Sequence, residues 1–150
     1  MNSHLLRNGT IIFFITMFIT MEGIWRSGIL QPILNMLMPS KANGFIGILE
    51  ITVISILLSQ LLSNVPFVKL FINYMRDLGY SETDHDAWIA LAMSSTIAGN
   101  LTLLGAASNI IVLETLESKM KTSITFVEFT KIGSLITLAN CIVYLLFFIT

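Results

Sequence analysis

Apolar and polar residues in this chain segregate into blocks the length of whole helices. A bilayer span needs about 20 mostly apolar residues, and the first candidate, residues 10–34, carries only two charges, Glu22 and Arg26. These lie four apart with the acid leading, so they share a helical face, either to gate or bind an anion or, the preferred reading, as a neutralised structural pair. "NMLMPSKANG" follows, and its Pro39, Lys41, Asn43 and Gly44 signal a turn. The second block, 45–75, is too long for one span and too short for two with a loop between them. It is punctured by "LLSNVPF". Pro66 removes a helical hydrogen bond and drives Val65 out of helical geometry. Ser63 and Asn64 are residue types that cap or turn a chain. The pattern predicts two helical arms, 45–62 and 66–75, meeting at a polar tip inside the membrane: a re-entrant hairpin.

"RDLGYSETDHD", 76–86, is strongly polar and reads as an aqueous loop. The third block, 87–117, holds no Asp, Glu, Lys, Arg or His over 87–113, yet its middle is "AGNLTLLGAASN". Gly99, Gly105, Asn100, Asn109, Thr102 and Ser108 are not what a lipid-facing helix wants. "SKMKTSITFVEFTK" then makes a polar connector, and the last block, 129–150, is uncharged from residue 132 onward. No strand pattern or short repeat is present.

Unsatisfied backbone in hydrocarbon costs several kcal/mol per group, so irregular backbone at depth must be buried in protein or line a watery cavity. One reading of the third block is packing: small residues let helices approach, and Asn and Thr bond across them. The other is an unwound joint. The second polar break, "SNVP", favours the joint, because two such breaks together suggest one site. Half-helix N-termini attract anions, and half-helix C-termini coordinate sodium or a proton carrier. Oxygens of Ser63, Asn64, Thr102 and Asn109 complete a cage suited to a hard cation.

Composition fixes the class. The chain is 55% hydrophobic and 11% charged, with mean hydropathy +0.83, against about 25% charged for a soluble domain. This is an all-α integral membrane protein of the cell membrane, with the lipid bilayer as its solvent. A net charge of -1 gives no ground for a nucleic-acid partner. Arg7 before an apolar run looks like the start of a secretory signal, but no cleavage site follows. Cys141 is the single cysteine and cannot form an intrachain disulfide. Lys and Arg counts place Arg7, Lys119, Lys121 and Lys131 on one side and Lys41 and Arg76 on the other. The first side is then cytoplasmic, with the N-terminus inside and the C-terminus outside.

At "SQLLSNVPFVKL" and "AGNLTLLGAASNIIV" the chain resembles the ion transporter superfamily, in its branch of arsenite permeases, citrate-transporter-like proteins and sodium/proton antiporters. "FFITMFITMEGIWRSGIL" is similar to that family's helix before the hairpin. The resemblance covers nearly the whole chain. It implies an inverted-repeat fold in which each half holds a re-entrant hairpin and a discontinuous helix. Substrate and coupling ions then bind where hairpin tips meet unwound loops. Ser63 and Asn64 match the family's hairpin tip, and Gly99, Asn100, Thr102, Gly105, Ser108 and Asn109 match its unwound loop. Leu104 departs from the pattern, standing where many members have Pro. One hairpin and one broken helix imply half of a transporter, the carboxyl-terminal half. The expected architecture is three crossing helices, one discontinuous, plus the hairpin.

Glu50, in the hairpin's first arm, is either a proton-coupling carboxylate or a group facing water near the mouth. Trp25, Trp88 and Tyr80 read as interfacial anchors. His4 and His85 are too isolated for a metal site. No HExxH, CxxC or nucleotide-binding loop occurs, so neither an enzyme nor a bound cofactor is expected. Energy would come from a sodium or proton gradient or from a separate ATPase. The preferred function is secondary transport of a small inorganic or organic anion, such as arsenite, citrate or a dicarboxylate, with a partner half or a second copy completing the protein. The competing reading is a non-transporting membrane subunit or decayed fragment.

Overall fold

The computed structural model describes residues 3–38 and 40–149. Pro39 of the turn signal and Thr150 at the end of the last block lie outside them. All regular structure among the described residues is helical.

The first block does not form one helix. Helix α1, Ser3–Arg26, ends where Gly28 adopts φ +73°, and the Ser27 hydroxyl donates to the Ile24 carbonyl at 2.7 Å. A left-handed glycine just past a helix and a proline just inside the next are ordinary stop and start signals. Pro32 supplies the second, opening α2, Gln31–Leu37. The two helices meet at 78°. Gln31 secures the bend by donating to the Trp25 carbonyl at 3.0 Å. The helix expected over 10–34 is therefore a bent pair.

Helix α3, Gly44–Leu62, and α4, Asn64–Asp77, are the two arms of a hairpin hinged at a single residue, Ser63, with φ 62° and ψ 160°. The sequence expectation put the irregular backbone at Val65. Instead α4 starts at Asn64, so Pro66 falls in its first turn, where a missing N–H has no helical partner to lose.

Helix α5, His85–Ala98, lies against α3. Both contact faces recur at helical spacing: Ile48, Ile51, Thr52, Ser55 and Ser59 on α3, and Ala87, Ala90, Leu91, Ser94 and Ala98 on α5, all buried. Small side chains let the two backbones approach closely where lipid provides no hydrophobic drive. A second cluster of aromatic rings fixes α4. Phe67 stacks on Phe71 with centroids 5.1 Å apart, and Trp25 meets Tyr74 edge-on at 6.4 Å. Tyr74 also donates to Asn35 and to the Met38 carbonyl, clasping α2 to α4.

After a break over 99–106, helix α6 runs Ala107–Met120 and α7 runs Phe126–Phe147. Helix α7 begins before the expected 129 because Thr125 and Glu128 form a reciprocal capping box. No side chain of α6 is buried, and α7 buries only Gly133 and Thr137 among the described residues. Helices α3 and α7 are each long and apolar enough to cross a bilayer, and the bent α1–α2 pair is a third candidate.

Candidate functional site

The site is built from one polar end inward. At that end Lys41 reaches both Asp84 carboxylate oxygens at 2.8 Å and sits 4.9 Å from the Tyr80 ring centroid. Tyr80 donates to the Ala42 carbonyl at 3.1 Å. Lys41, with hydrogen bonds from Ser81, holds the Asp84 carboxyl well below its ordinary range, at about 2. Burial pushes the Tyr80 phenol up. These contacts tie the start of α3, the end of α4 and the start of α5 to one level.

From that level α4 and α5 both run 14 residues, about 21 Å at 1.5 Å per residue. That is short of the ~30 Å hydrocarbon core. The hairpin hinge at Ser63 and the end of α5 at Ala98 therefore stop at similar distances from the loop that joins the two helices. Equal arm lengths from a common loop bring the two breaks to one layer.

Gln60 joins them. Its Nε2 donates to the Ala98 carbonyl at 2.8 Å and to Ile56 at 3.1 Å, and its Oε1 accepts from the Thr102 hydroxyl at 2.7 Å. Sequence reasoning missed this residue. The signal was present: a lone amide in the apolar arm 44–62 must find partners in a dry interior. Around it the chain of α5 tightens, with the N–H groups of Gly99, Asn100 and Leu101 donating back to Thr96, Ile97 and Ala98. A 3-10 turn, Leu103–Gly105, follows, and the Thr102 hydroxyl accepts from the Leu104 N–H. Asn109 closes the loop, donating to the carbonyls of Gly99 at 2.7 Å and Thr102 at 3.2 Å.

The residues singled out from sequence separate into distinct positions. Thr102 and Asn109 are brought together by the joint's own hydrogen bonds. Gly105 is buried, and a Cβ there would lie 2.6 Å from the Ala98 carbonyl and 3.0 Å from Gln60 Oε1. Gly99 is half-buried beside Ala106, while Asn100 and Ser108 are exposed. Ser63 and Asn64 are half-buried at the hinge, and their side chains make no hydrogen bond among the described residues. Glu50 lies ten residues before Gln60 on α3, about 15 Å away along the axis, towards the polar end and outside the joint layer.

Two further residues were not anticipated. Lys69 on α4 contacts Glu22 at 3.3 Å, so the Glu22–Arg26 pair is a three-member bridge from α1 to the hairpin. Gly133 of α7 lies against the loop, where a Cβ would collide with the Asn100 carbonyl and sit 2.8 Å from that of Leu101. Of the interfacial aromatics, Trp88 donates to the Ser81 carbonyl at 2.8 Å, and Trp25 is half-buried against Tyr74. No group of three or more His, Cys, Asp or Glu side chains is placed to hold a metal among the described residues.

The half-helices α4 and α6 both begin in the joint region without a side-chain cap, at Ser63 and Ala106. The carbonyls of 96–99 and 102, by contrast, are taken up by the loop itself and by Gln60 and Asn109. Uncapped N-termini are positive ends that favour anions.

An all-helical membrane chain with a one-residue hairpin hinge and a discontinuous helix bridged by a half-buried amide shares its architecture with folds built on broken helices. Comparison with known proteins names the family. Residues 7–88 match the citrate transporter family, and the chain belongs to it. It is similar to a silicon efflux transporter of Oryza sativa, 40% identical over 108 residues, which are 69% of this chain and 22% of that protein. A Dictyostelium discoideum transporter named arsB is 36% identical over 133 residues, 82% of this chain and 22% of the relative. The mouse P protein is 26% identical over 148 residues, 92% of this chain and 18% of the relative. The chain thus spans about a fifth of the length of these curated relatives. No solved structure shows significant similarity to it.

Proposed function

We propose that this chain is part of a secondary transporter for a small inorganic or organic anion, with solute bound at the layer of the two breaks. The observation that carries the reading is the pair of uncapped half-helix N-termini beside a joint whose carbonyls are already satisfied. A site with spare donors and few spare acceptors suits an anion. The names of the relatives agree in class: one is a silicon efflux transporter and another a transporter named arsB. Sodium or a proton is the coupling ion in this reading. Glu50, between the polar end and the joint, is the candidate proton carrier. A partner half or second copy completes the pathway, with this chain as the carboxyl-terminal half, its N-terminus inside and its C-terminus outside. Asn64, with no side-chain hydrogen bond of its own, is the side chain freest to contact solute. Both amide protons of Asn109 are engaged within the loop, which leaves its oxygen for a ligand.

The test is solute flux in vesicles with the assembled transporter at equal expression, comparing Asn64→Ala and Asn109→Ala with Thr122→Ala as a remote control. A lost hydrogen bond to a charged group is worth about 1.5–3 kcal/mol, roughly ten- to a hundredfold in apparent affinity. Normal apparent affinity in both asparagine variants would refute the site and leave these residues as packing.

A further inference from the structure

A cleft of about 510 Å³ opens between α4 and α5, away from the joint. Its floor is Val68 and Ile72 of α4 with Leu91 and Ala92 of α5, and its rim carries Arg76 and Glu82. Val68, Ile72 and Arg76 are spaced by four, so they line one face of α4 from the rim inward. The run from Arg76 to Val68 is about 12 Å at 1.5 Å per residue, close to one leaflet's share of a ~30 Å hydrocarbon core. The upper edge is held in place. Ser81 receives the Trp88 indole N–H at 2.8 Å, and its own N–H and hydroxyl donate to Asp84 at 2.6 and 2.9 Å. Tyr80, also at the edge, is buried and bonded to Ala42.

The two rim charges decide the occupant. Arg76 and Glu82 are exposed, and neither side chain has an ion-pair or hydrogen-bond partner among the described residues. No other charged residue lines the cleft. A free guanidinium binds a phosphate through two parallel N–H bonds, whereas the carboxylate beside it repels a purely anionic head and attracts an ammonium. We infer that the cleft holds one phospholipid with a zwitterionic, primary-amine head group of the phosphoethanolamine type. Its phosphate lies on Arg76, its ammonium on Glu82, and an acyl chain along Val68, Ile72, Leu91 and Ala92. A quaternary ammonium has no N–H to give Glu82, which makes the primary amine the better fit. The bound lipid would hold α4 and α5 together below the loop that ties them above.

Native mass spectrometry of the full-length protein in detergent tests this, with phosphatidylethanolamine and phosphatidylglycerol of identical chains added in turn. The wild type should retain one phosphatidylethanolamine in preference to phosphatidylglycerol by about tenfold, the value of one hydrogen bond to a charged group. Glu82→Gln should remove or reverse that preference, and Arg76→Gln should weaken retention of both lipids. Ala92→Phe, which fills the floor, should abolish retention. Unchanged far-UV dichroism and monodispersity check that each variant is folded. Equal binding of the two lipids by the wild type, an unaltered ratio in Glu82→Gln, or no retention of either lipid would overturn the assignment.

Discussion

Replacing Gln60 with Leu keeps a side chain of similar bulk and removes three hydrogen bonds, two of which cross between elements. The Ala98 carbonyl retains a bond from the Leu101 N–H at 3.1 Å, and Ile56 is an ordinary carbonyl within α3. Thr102 Oγ1 still accepts from Leu104 at 3.2 Å. The group left without a partner is the Thr102 hydroxyl proton, which had donated to Gln60 at 2.7 Å. Two cross-element bonds at about 0.6–1.5 kcal/mol each sum to about 1–3 kcal/mol, which the more apolar side chain partly offsets. The effect should be local as well as global, because the joint loses its tie to the hairpin arm. Reversible unfolding in mixed detergent measures the first quantity. Hydrogen exchange at the amides of 101–105 measures the second, and those amides should exchange faster than the interior of α3. A double-mutant cycle with Thr102→Val isolates the pair, with an expected coupling of about 1 kcal/mol. Strict additivity in the cycle, or unchanged exchange at the loop in Gln60→Leu, would refute the bridging role.

Other outcomes follow from the same geometry. Gly133→Ala drives a methyl group into the Asn100 and Leu101 carbonyls and should destabilise by about 1–3 kcal/mol. Gly23→Ala, where nothing lies within 4 Å, should instead stabilise by about 0.5–1 kcal/mol; equal thermal shifts in the two variants would contradict the close approach of α7 to the loop. The Asp84 carboxyl titrates at about 2 rather than 3.8, so its stabilising tether to Lys41 is fully present above pH 3.8 and is lost as pH falls through about 2. Carboxyl-carbon NMR should place the midpoint there, and Lys41→Met should return it towards the ordinary carboxylate value.

Much of the architecture was determined by the sequence alone, because a bilayer leaves a chain few solutions. Long uncharged blocks in lipid must be helical to satisfy their own backbone. Polar residues at depth, as in "SNVP" and "GNLTLLGAASN", mark where helices stop. The capping box at Thr125 and Glu128, and the Gly28–Pro32 pair that bends the first block, were equally local signals, present in the sequence but not used in the expected boundaries. The tertiary structure decided the rest, because those features depend on residues distant along the chain. No period reveals that α4 and α5 are of equal length from a common loop, which is what puts the two breaks in one layer. Nothing local ties Gln60 to Ala98 and Thr102, about forty positions away, or sets Gly133 against the carbonyls of 100 and 101. Local sequence can specify where a backbone must leave the helix, since propensity and capping act over a few residues. Which buried groups then satisfy it is a question of packing between helices, and only the folded chain answers it.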